Sequence, residues 1–579
     1  MRWMTLVTDM LPFMATISPL IGAASLAVSL RQSPQWVRLL AIFNASLTLL
    51  LLVIAVWSYD PRRVDQRGRA DVSQMKASLG WLEQSRVAIS ADKSPARRGI
   101  DVRLSFGIDG LTVWPTVWIA MAAWAAIVVS APRTGESSVA YCLALLVGEA
   151  CLLASLTSRD AIVSLISFEM AIPALSFLIG RYGGRNRRAT AGRFLANQLV
   201  GFSLTLLGTT LIAVSWPWVR SDFDMRHSPL FFDTFNLVEG IQAMVARNEI
   251  AVQLWSDLAP WGCVLLVVGL AIRLPAFPFH SWYVTTLEDA PEGVAGLVAI
   301  ALPQVAFCGW IRFAMPLFAE QAAELSWLLG IVTSVGALHS GLRALSQSDL
   351  KRFAAAVSMG WISLALVSMR LPAREGLTGA WLLLQSQGLT VTGLFLLFDM
   401  MQSRPGARES DVGEGLVFRQ PRMAMMLIAL LAGMGTAACY GVTGSILSLL
   451  ILTWENTLFT ACGIAATLLL TCSMVITTQR VLFAEASLSQ DQHQLKEYSE
   501  SATPYVLGWS DRLSLSIQQK DRTDLAFREF AVLLPFVIIP VWLMVAPAVL
   551  LDHSQPTLSF LLQRAERHTE TSGSVAPLR

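Results

Sequence analysis

Three ionisable residues stand out inside long apolar segments of the 579-residue chain: Glu149, Glu169 and Arg273. Charge in hydrocarbon is expensive, so such residues are kept for a chemical or structural purpose. Glu149 lies in Val147-Gly148-Glu149-Ala150, and Glu169 lies in Ser167-Phe168-Glu169-Met170. A carboxyl group in apolar surroundings takes up a proton unless a cation faces it. Arg273, in Leu270-Ala271-Ile272-Arg273-Leu274-Pro275, has no such recourse, because guanidinium keeps its proton at any cellular pH. Its obvious counter-charge is Glu169. Two readings are open: a static ion pair, or a pair in which Glu169 gains and loses a proton beside a fixed cation. Glu149 likewise fits a structural carboxylate facing a water pocket or a proton store.

The run that follows Arg273 is irregular. Arg273-Leu-Pro275-Ala-Phe-Pro278-Phe-His280-Ser-Trp282 puts two prolines and a histidine where a regular span is due. Proline removes a backbone donor and breaks the helix. A broken helix is tolerated inside a bilayer only where it lines a polar cavity or is sheathed by protein. A second irregular stretch, Gly433-Met-Gly435-Thr-Ala-Ala-Cys-Tyr-Gly441-Val-Thr-Gly444, predicts another break. Two broken helices at corresponding places in two halves is the pattern of secondary transporters built from repeats. His339 reads as a packing histidine or a relay group. Gln304 and Gln387 are amides in apolar helices, able to orient water and unable to titrate. The run Gly183-Gly184-Arg185-Asn186-Arg187-Arg188 reads as a positive membrane anchor, or else as a lipid-headgroup or partner site.

The elements that hold these residues follow from composition. Apolar residues are 54 % of the chain and charged ones 15 %, against about 25 % charged in an ordinary soluble protein. Charge is swept out of segments near 10–30, 39–59, 111–131, 138–156, 161–180, 194–216, 257–279, 293–315, 324–345, 353–370, 377–400, 423–453, 457–477 and 530–551. These are about fourteen transmembrane helices of about 20 residues each. A soluble enzyme, a disordered chain and a secreted disulfide scaffold are excluded. The net charge of +2 provides no field for nucleic acid. Seven cysteines stand singly in apolar segments with no CxxC pair, as small apolar fillers. No Gly-rich loop ending in Gly-Lys-Ser/Thr, no HExxH and no GxGxxG indicates a nucleotide, metal or flavin site. No cofactor is expected in this chain.

Basic residues orient the spans by the positive-inside rule. Arg31, Arg38, Arg181, Arg185, Arg187, Arg188, Arg193, Arg343, Lys351, Arg352, Arg404, Arg408, Arg419 and Arg422 fall in alternate loops, which predicts both termini on the outer side. The apolar stretch in Met1–Leu30 is long and lacks a processing site, so it reads as a span and no cleaved signal. The organisation is helices 1–3 over 1–131 with an extramembrane insertion near 60–104, then helices 4–8 over 138–315. Helices 9–13 follow over 324–477, then an amphipathic cytoplasmic-face segment over 479–528. A last span with a C-terminal tail occupies 529–579.

The motifs together carry a resemblance. Arg273-Leu-Pro-x-x-Pro-x-His280-x-Trp282, with Ala290-Pro291 beyond it, resembles the seventh-helix motif of the antiporter-like membrane subunits of respiratory complex I and the Mrp antiporters. Phe168-Glu169-x-x-x-Pro173, with Asp160 upstream and Tyr182-Gly183-Gly184 downstream, is similar to their fifth-helix motif. Gln347-Ser348-Asp349-Leu350-Lys351-Arg352 resembles their turn before the tenth helix. Phe106-Gly107-Ile108-Asp109-Gly110-Leu111 matches the start of the third. Order and spacing hold over almost the whole chain, nearest to the chain-M type.

The resemblance implies an all-α polytopic fold of about fourteen helices with two inverted five-helix repeats and broken helices 7 and 12. It implies a subunit of a multi-subunit complex in a bacterial-type inner membrane, with other membrane subunits as partners. Proton movement would be driven by electron transfer there, with redox cofactors and quinone in the partners. Carried over by motif, the charge pair is Glu169 with Arg273 at the position of the family's lysine. A possible accessory polar axis comprises Glu149, His280, Gln304, His339, Lys351 and Gln387. The chain departs from the family pattern in a consistent direction. Gln304 stands at the eighth-helix lysine position, Gln387 at the eleventh-helix histidine, and Trp361 at a tenth-helix histidine. Ala432–Trp454 has no ionisable side chain with a useful pKa, with Glu455 just beyond. Two alternatives therefore stay open beside proton conduction: a non-conducting scaffold, and a proton-admitting subunit of a non-redox complex such as inorganic-carbon uptake.

Overall fold

The computed structural model describes residues 2–28, 33–61, 73–83, 100–130, 138–219, 230–231, 249–369, 373–402, 420–435, 457–483 and 524–572. Within them the chain is mostly helical. A backbone in hydrocarbon must satisfy its own polar groups, and the helix does so within one segment. The apolar runs become α1 (Arg2–Val28), α2 (Pro34–Ser58), α3 (Val113–Ser130), α4 (Ser138–Thr157), α5 (Ala161–Tyr182) and α6 (Arg187–Val219). Then come α7 (Glu249–Arg273), α8 (Ser281–Asp289), α9 (Glu292–Gly309), α10 (Ala319–Ser346), α11 (Leu350–Met369) and α12 (Arg374–Gln402). Last are α13 (Pro421–Gly435), α14 (Thr457–Phe483), α15 (Phe527–Val545) and α16 (Ala548–Ser572). Ten described helices are long and apolar enough to cross a membrane, with shorter apolar helices at Val113–Val129 and Pro421–Gly433.

Successive turns alternate between two faces of the bundle. On one face lie β1 (Gln74–Glu83) and β2 (Ile100–Ile108), paired antiparallel, with β3 (Leu230–Phe231) parallel to β2. The backbone N–H of Arg159, between α4 and α5, donates to Ser105 of β2 at 2.9 Å. On the opposite face the N–H of Gly184 donates to the carbonyl of Asp289 at 2.6 Å. Arg352 Nε donates to Glu288 Oε1 there at 2.7 Å.

Three expectations change in detail. The insertion near 60–104 contributes strands, so the helical fold carries a small sheet, and β2 runs on to Ile108 before α3. The span drawn over 257–279 stops as a helix at Arg273, a turn occupies 274–280, and α8 follows beyond it. The C-terminal tail is the helix α16. Its residues Leu550, Leu558 and Leu561 are buried, and Thr557 Oγ1 accepts from the N–H of Gly110 at 3.2 Å. His553 and Thr557 of this helix meet the start of α3, with Trp114 Nε1 donating to His553 Nδ1 at 3.4 Å. The break drawn at 433–444 falls largely on 436–456, and most of the amphipathic segment falls on 484–523. Both lie outside the described residues.

Candidate functional site

Two local devices place the charge pair. Asp160 caps α5: its Oδ1 accepts from the N–H groups of Ile162 at 2.9 Å and Val163 at 3.1 Å. A cap satisfies donors that a helix start leaves orphaned and fixes the register of the helix. Glu169 thus stands about two and a half turns into α5, roughly 13 Å along the axis at 1.5 Å per residue. Pro173 is accommodated within the unbroken α5. Having no N–H, it leaves the carbonyl of Glu169 itself without its helical donor.

The second device is the break after α7. Pro275 and Pro278 end the helix at Arg273, and the indole of Trp282 turns back from α8 to donate to the carbonyl of Ile272 at 2.9 Å. Tryptophan thereby replaces the backbone donor that the break removed. Gly201 of α6 completes the arrangement. A Cβ there would lie 3.0 Å from Arg273 Cγ and 3.1 Å from the carbonyl of Gly269. Small residues let helices approach closely in a membrane, and here the approach sheathes the arginine stem.

Arg273 is 1 % exposed, and its Nη2 donates to Glu169 Oε2 at 2.7 Å. Its guanidinium carbon lies 4.4 Å from the centroid of the Phe168 ring, on the residue next to Glu169. Glu169 Oε1 and Arg273 Nε are buried with no hydrogen-bond partner among the described residues. The pair is therefore only half satisfied, with one acceptor on the carboxylate still open to a proton or to water.

The other residues singled out from sequence fall into separate groups. His280 and His339 face each other with ring centroids 5.5 Å apart, and Phe277 stacks on His280. Gln387 belongs to a buried chain between α8, α11, α12 and α9. Tyr283 donates to Ser358 at 2.8 Å, Ser358 Oγ donates to Gln387 Oε1 at 2.8 Å, and Gln387 Nε2 donates to the carbonyl of Ala299 at 3.3 Å. Gln304 is 1 % exposed and neither amide atom has a partner among the described residues. Glu149 is fully buried and both of its oxygens are likewise unpartnered. Lys351 is paired with Glu292 at the start of α9, near the end of the membrane layer. Thr443 and Glu455 lie outside the described residues.

A second buried ion pair escaped the sequence reading. Arg312 stands in a π-helical turn, Trp310–Ala314, that follows α9. It pairs with Asp109 and donates to the carbonyl of Leu156 at 3.2 Å. Asp109 Oδ1 also accepts from the N–H of Leu111 at 3.1 Å, the N–H of Thr112 at 3.0 Å and Thr112 Oγ1 at 2.9 Å. The signal was present, since Arg312 falls within the span drawn at 293–315 and Asp109 within a quoted motif.

A bundle of helices long and apolar enough to span a membrane, with a buried ion pair at a broken helix, defines the class: a polytopic membrane protein. The family model described as "NADH:quinone oxidoreductase/Mrp antiporter, TM" matches residues 158–477, and the chain belongs to that family. It is 24 % identical over 569 residues to NADH-quinone oxidoreductase subunit M of Rhodobacter capsulatus, covering 95 % of each chain. The fold is similar to a chain of respiratory complex I from Thermus thermophilus with bound NADH, at TM-score 0.69 and 22 % identity over 96 % of this chain and 99 % of that one. It is also similar to a chain of the Mrp complex from a Dietzia species, at TM-score 0.70 and 16 % identity with the same coverage.

Proposed function

We propose that the chain is the antiporter-like membrane subunit of a complex I-type assembly and contributes to proton translocation coupled to electron transfer in partner subunits. The observation that carries this reading is the Glu169–Arg273 pair, held at a helix break and left with an open carboxylate oxygen. Glu169 is the proton carrier, and Arg273 is the fixed charge that draws Glu169 back to the carboxylate after each transfer. The similarity to subunit M of an NADH-quinone oxidoreductase over 95 % of both chains supports the same reading. Redox cofactors and quinone belong to the partners, which supply the driving force. Moving one proton against 100 mV takes about 2.3 kcal/mol, and an ion pair at equilibrium provides none of it.

The proposal includes two inverted five-helix repeats over 138–315 and 324–477, both termini on the outer side of a bacterial-type inner membrane, and the sheet on that side. His280, His339, Lys351 and the Tyr283–Ser358–Gln387 chain are its accessory polar groups. Glu169→Gln in the purified, reconstituted assembly is the test. Proton uptake should fall by about tenfold or more, the size of effect a lost general acid–base group produces. Undiminished uptake sinks the proposal.

Gln304 and Gln387 favour a second reading, in which the subunit keeps the fold as a scaffold that couples its neighbours. Amides cannot store a proton, so neither can serve as a titrating station. In that case a matched apolar replacement of Glu169 and Arg273 preserves assembly and activity. Partners that purify with the chain separate a redox assembly from a non-redox one, since quinone-reducing subunits belong only to the first.

A further inference from the structure

Between the two buried ion pairs lies a cavity whose wall includes both Arg273 and Arg312. Its free volume is about 40 Å³, space for about three water molecules. Leu270 of α7 lies beside Gly309 of α9. Arg273 is three residues beyond that level in one direction and Arg312 three residues beyond it in the other. At 1.5 Å per residue the two arginines are separated by roughly 9 Å along the membrane normal.

Most of the wall is apolar, with Leu156, Leu165, Phe168, Leu266, Leu270 and Val305, and it is the polar groups set among them that hold water. Thr205 Oγ1 donates to the carbonyl of Gly201 at 2.9 Å, Thr209 Oγ1 to that of Thr205 at 2.8 Å, and Ser164 Oγ to that of Ser155 at 2.7 Å. With their protons committed to the helices, these hydroxyls turn lone pairs toward other donors. Arg273 Nε and Arg312 Nε are buried donors with no partner among the described residues. Water, which donates to hydroxyl oxygens and accepts from guanidinium, satisfies both sets at once. An anion would serve only the second.

We infer that this cavity is a short water-filled leg joining the Glu169–Arg273 pair to the sheet face, and that the Asp109–Arg312 pair is its electrostatic gate. This rests on the proposed proton role of Glu169 and adds a route. Glu169 is not itself on the cavity wall and meets it through its partner Arg273. Its carboxyl O–H breaks, the proton passes to a water held at the guanidinium, and Glu169 returns to Arg273 as the carboxylate. No electron moves. The proton then leaves past Arg312, along the membrane normal. It does not travel sideways through the non-titrating positions Gln304 and Gln387. A fixed cation at the end of a water column opposes protons. Asp109, held in place by its three other donors, offsets that charge and anchors the guanidinium.

The full-length chain, reconstituted in phospholipid vesicles loaded with a pH dye, tests the gate under an imposed pH gradient without redox drive. Arg312→Gln should raise passive proton flux by about tenfold, a drop of about 1.4 kcal/mol in the barrier, while Arg312→Lys stays at the wild-type rate. Adding Ala306→Phe, which fills the cavity, should return the Arg312→Gln flux to wild type. No rise, or a rise that Ala306→Phe does not block, overturns the proposal. A second measurement needs no gate variant. Cys308 is on the cavity wall and Cys263 is buried elsewhere. In D2O the infrared S–H band assigned by Cys308→Ser should exchange at once while that of Cys263 persists. A persistent Cys308 band overturns the water-filled leg. Should Glu169→Gln leave driven uptake intact while these results hold, the leg stands and the proton role of Glu169 falls.

Discussion

Arg273 Nη2 donates to Glu169 Oε2 at 2.7 Å across 104 residues of sequence, from the last turn of a broken helix to the middle of a continuous one. The asymmetry between the partners governs what the pair can do. Glu169 can lose its charge and Arg273 cannot. Protonating Glu169 therefore leaves a buried cation uncompensated, which returns the proton to any acceptor within reach.

Removing one partner should be far worse than removing both. Glu169→Gln and Arg273→Gln each leave a buried group unpaired, and Arg273→Gln should destabilise by about 3–5 kcal/mol. The double variant should lose much less than the sum of the two single losses, because the sites touch. Thermal melts of the purified assembly, run as a double-mutant cycle, give the coupling. Additive losses would show that the pair contributes nothing jointly.

Proton uptake should follow a single ionisation. Of the pair only Glu169 titrates, and the lateral positions Gln304 and Gln387 do not. A plot of uptake rate against pH should fit one group, and that inflection should vanish in Glu169→Gln. Two inflections in the wild type would point to another carrier, with the fully buried Glu149 the first to substitute.

Trp282→Phe should keep the bulk of the ring and lose the N–H that meets Ile272. A buried carbonyl left without its donor costs about 1–3 kcal/mol. Because that bond clamps the break beside Arg273, proton uptake should fall along with the melting temperature. A variant that melts like wild type would show that the prolines alone hold the break.

Asp160→Ala should cost about 0.5–2 kcal/mol through the lost cap of α5, and Asp160→Asn should retain most of the stability. Melting temperature reads both. Equal losses for Ala and Asn would place the role of Asp160 in its charge and outside the cap.

Much of this was legible in the chain itself. Apolar runs long enough to span a bilayer have one backbone solution, so the helices follow from composition. Glu169 and Arg273 stand out because charge in such runs is rare, and the spacing of Pro275, Pro278 and Trp282 marks the break. Other features needed three dimensions. The insertion's strands hide in a polar stretch, where β1 and β2 pair with each other and β3 joins from far along the chain. Thr557 and Gly110 meet across 447 residues. Sequence determined which residues are anomalous and where the helices run. Tertiary structure decided which anomalies meet. It paired Glu169 with Arg273, left Glu149 without a partner among the described residues, and joined Arg312 to Asp109 at the far end of a cavity. The reason is physical: hydropathy fixes how a segment lies in the membrane, while the faces that two helices turn toward each other depend on the packing of all their neighbours.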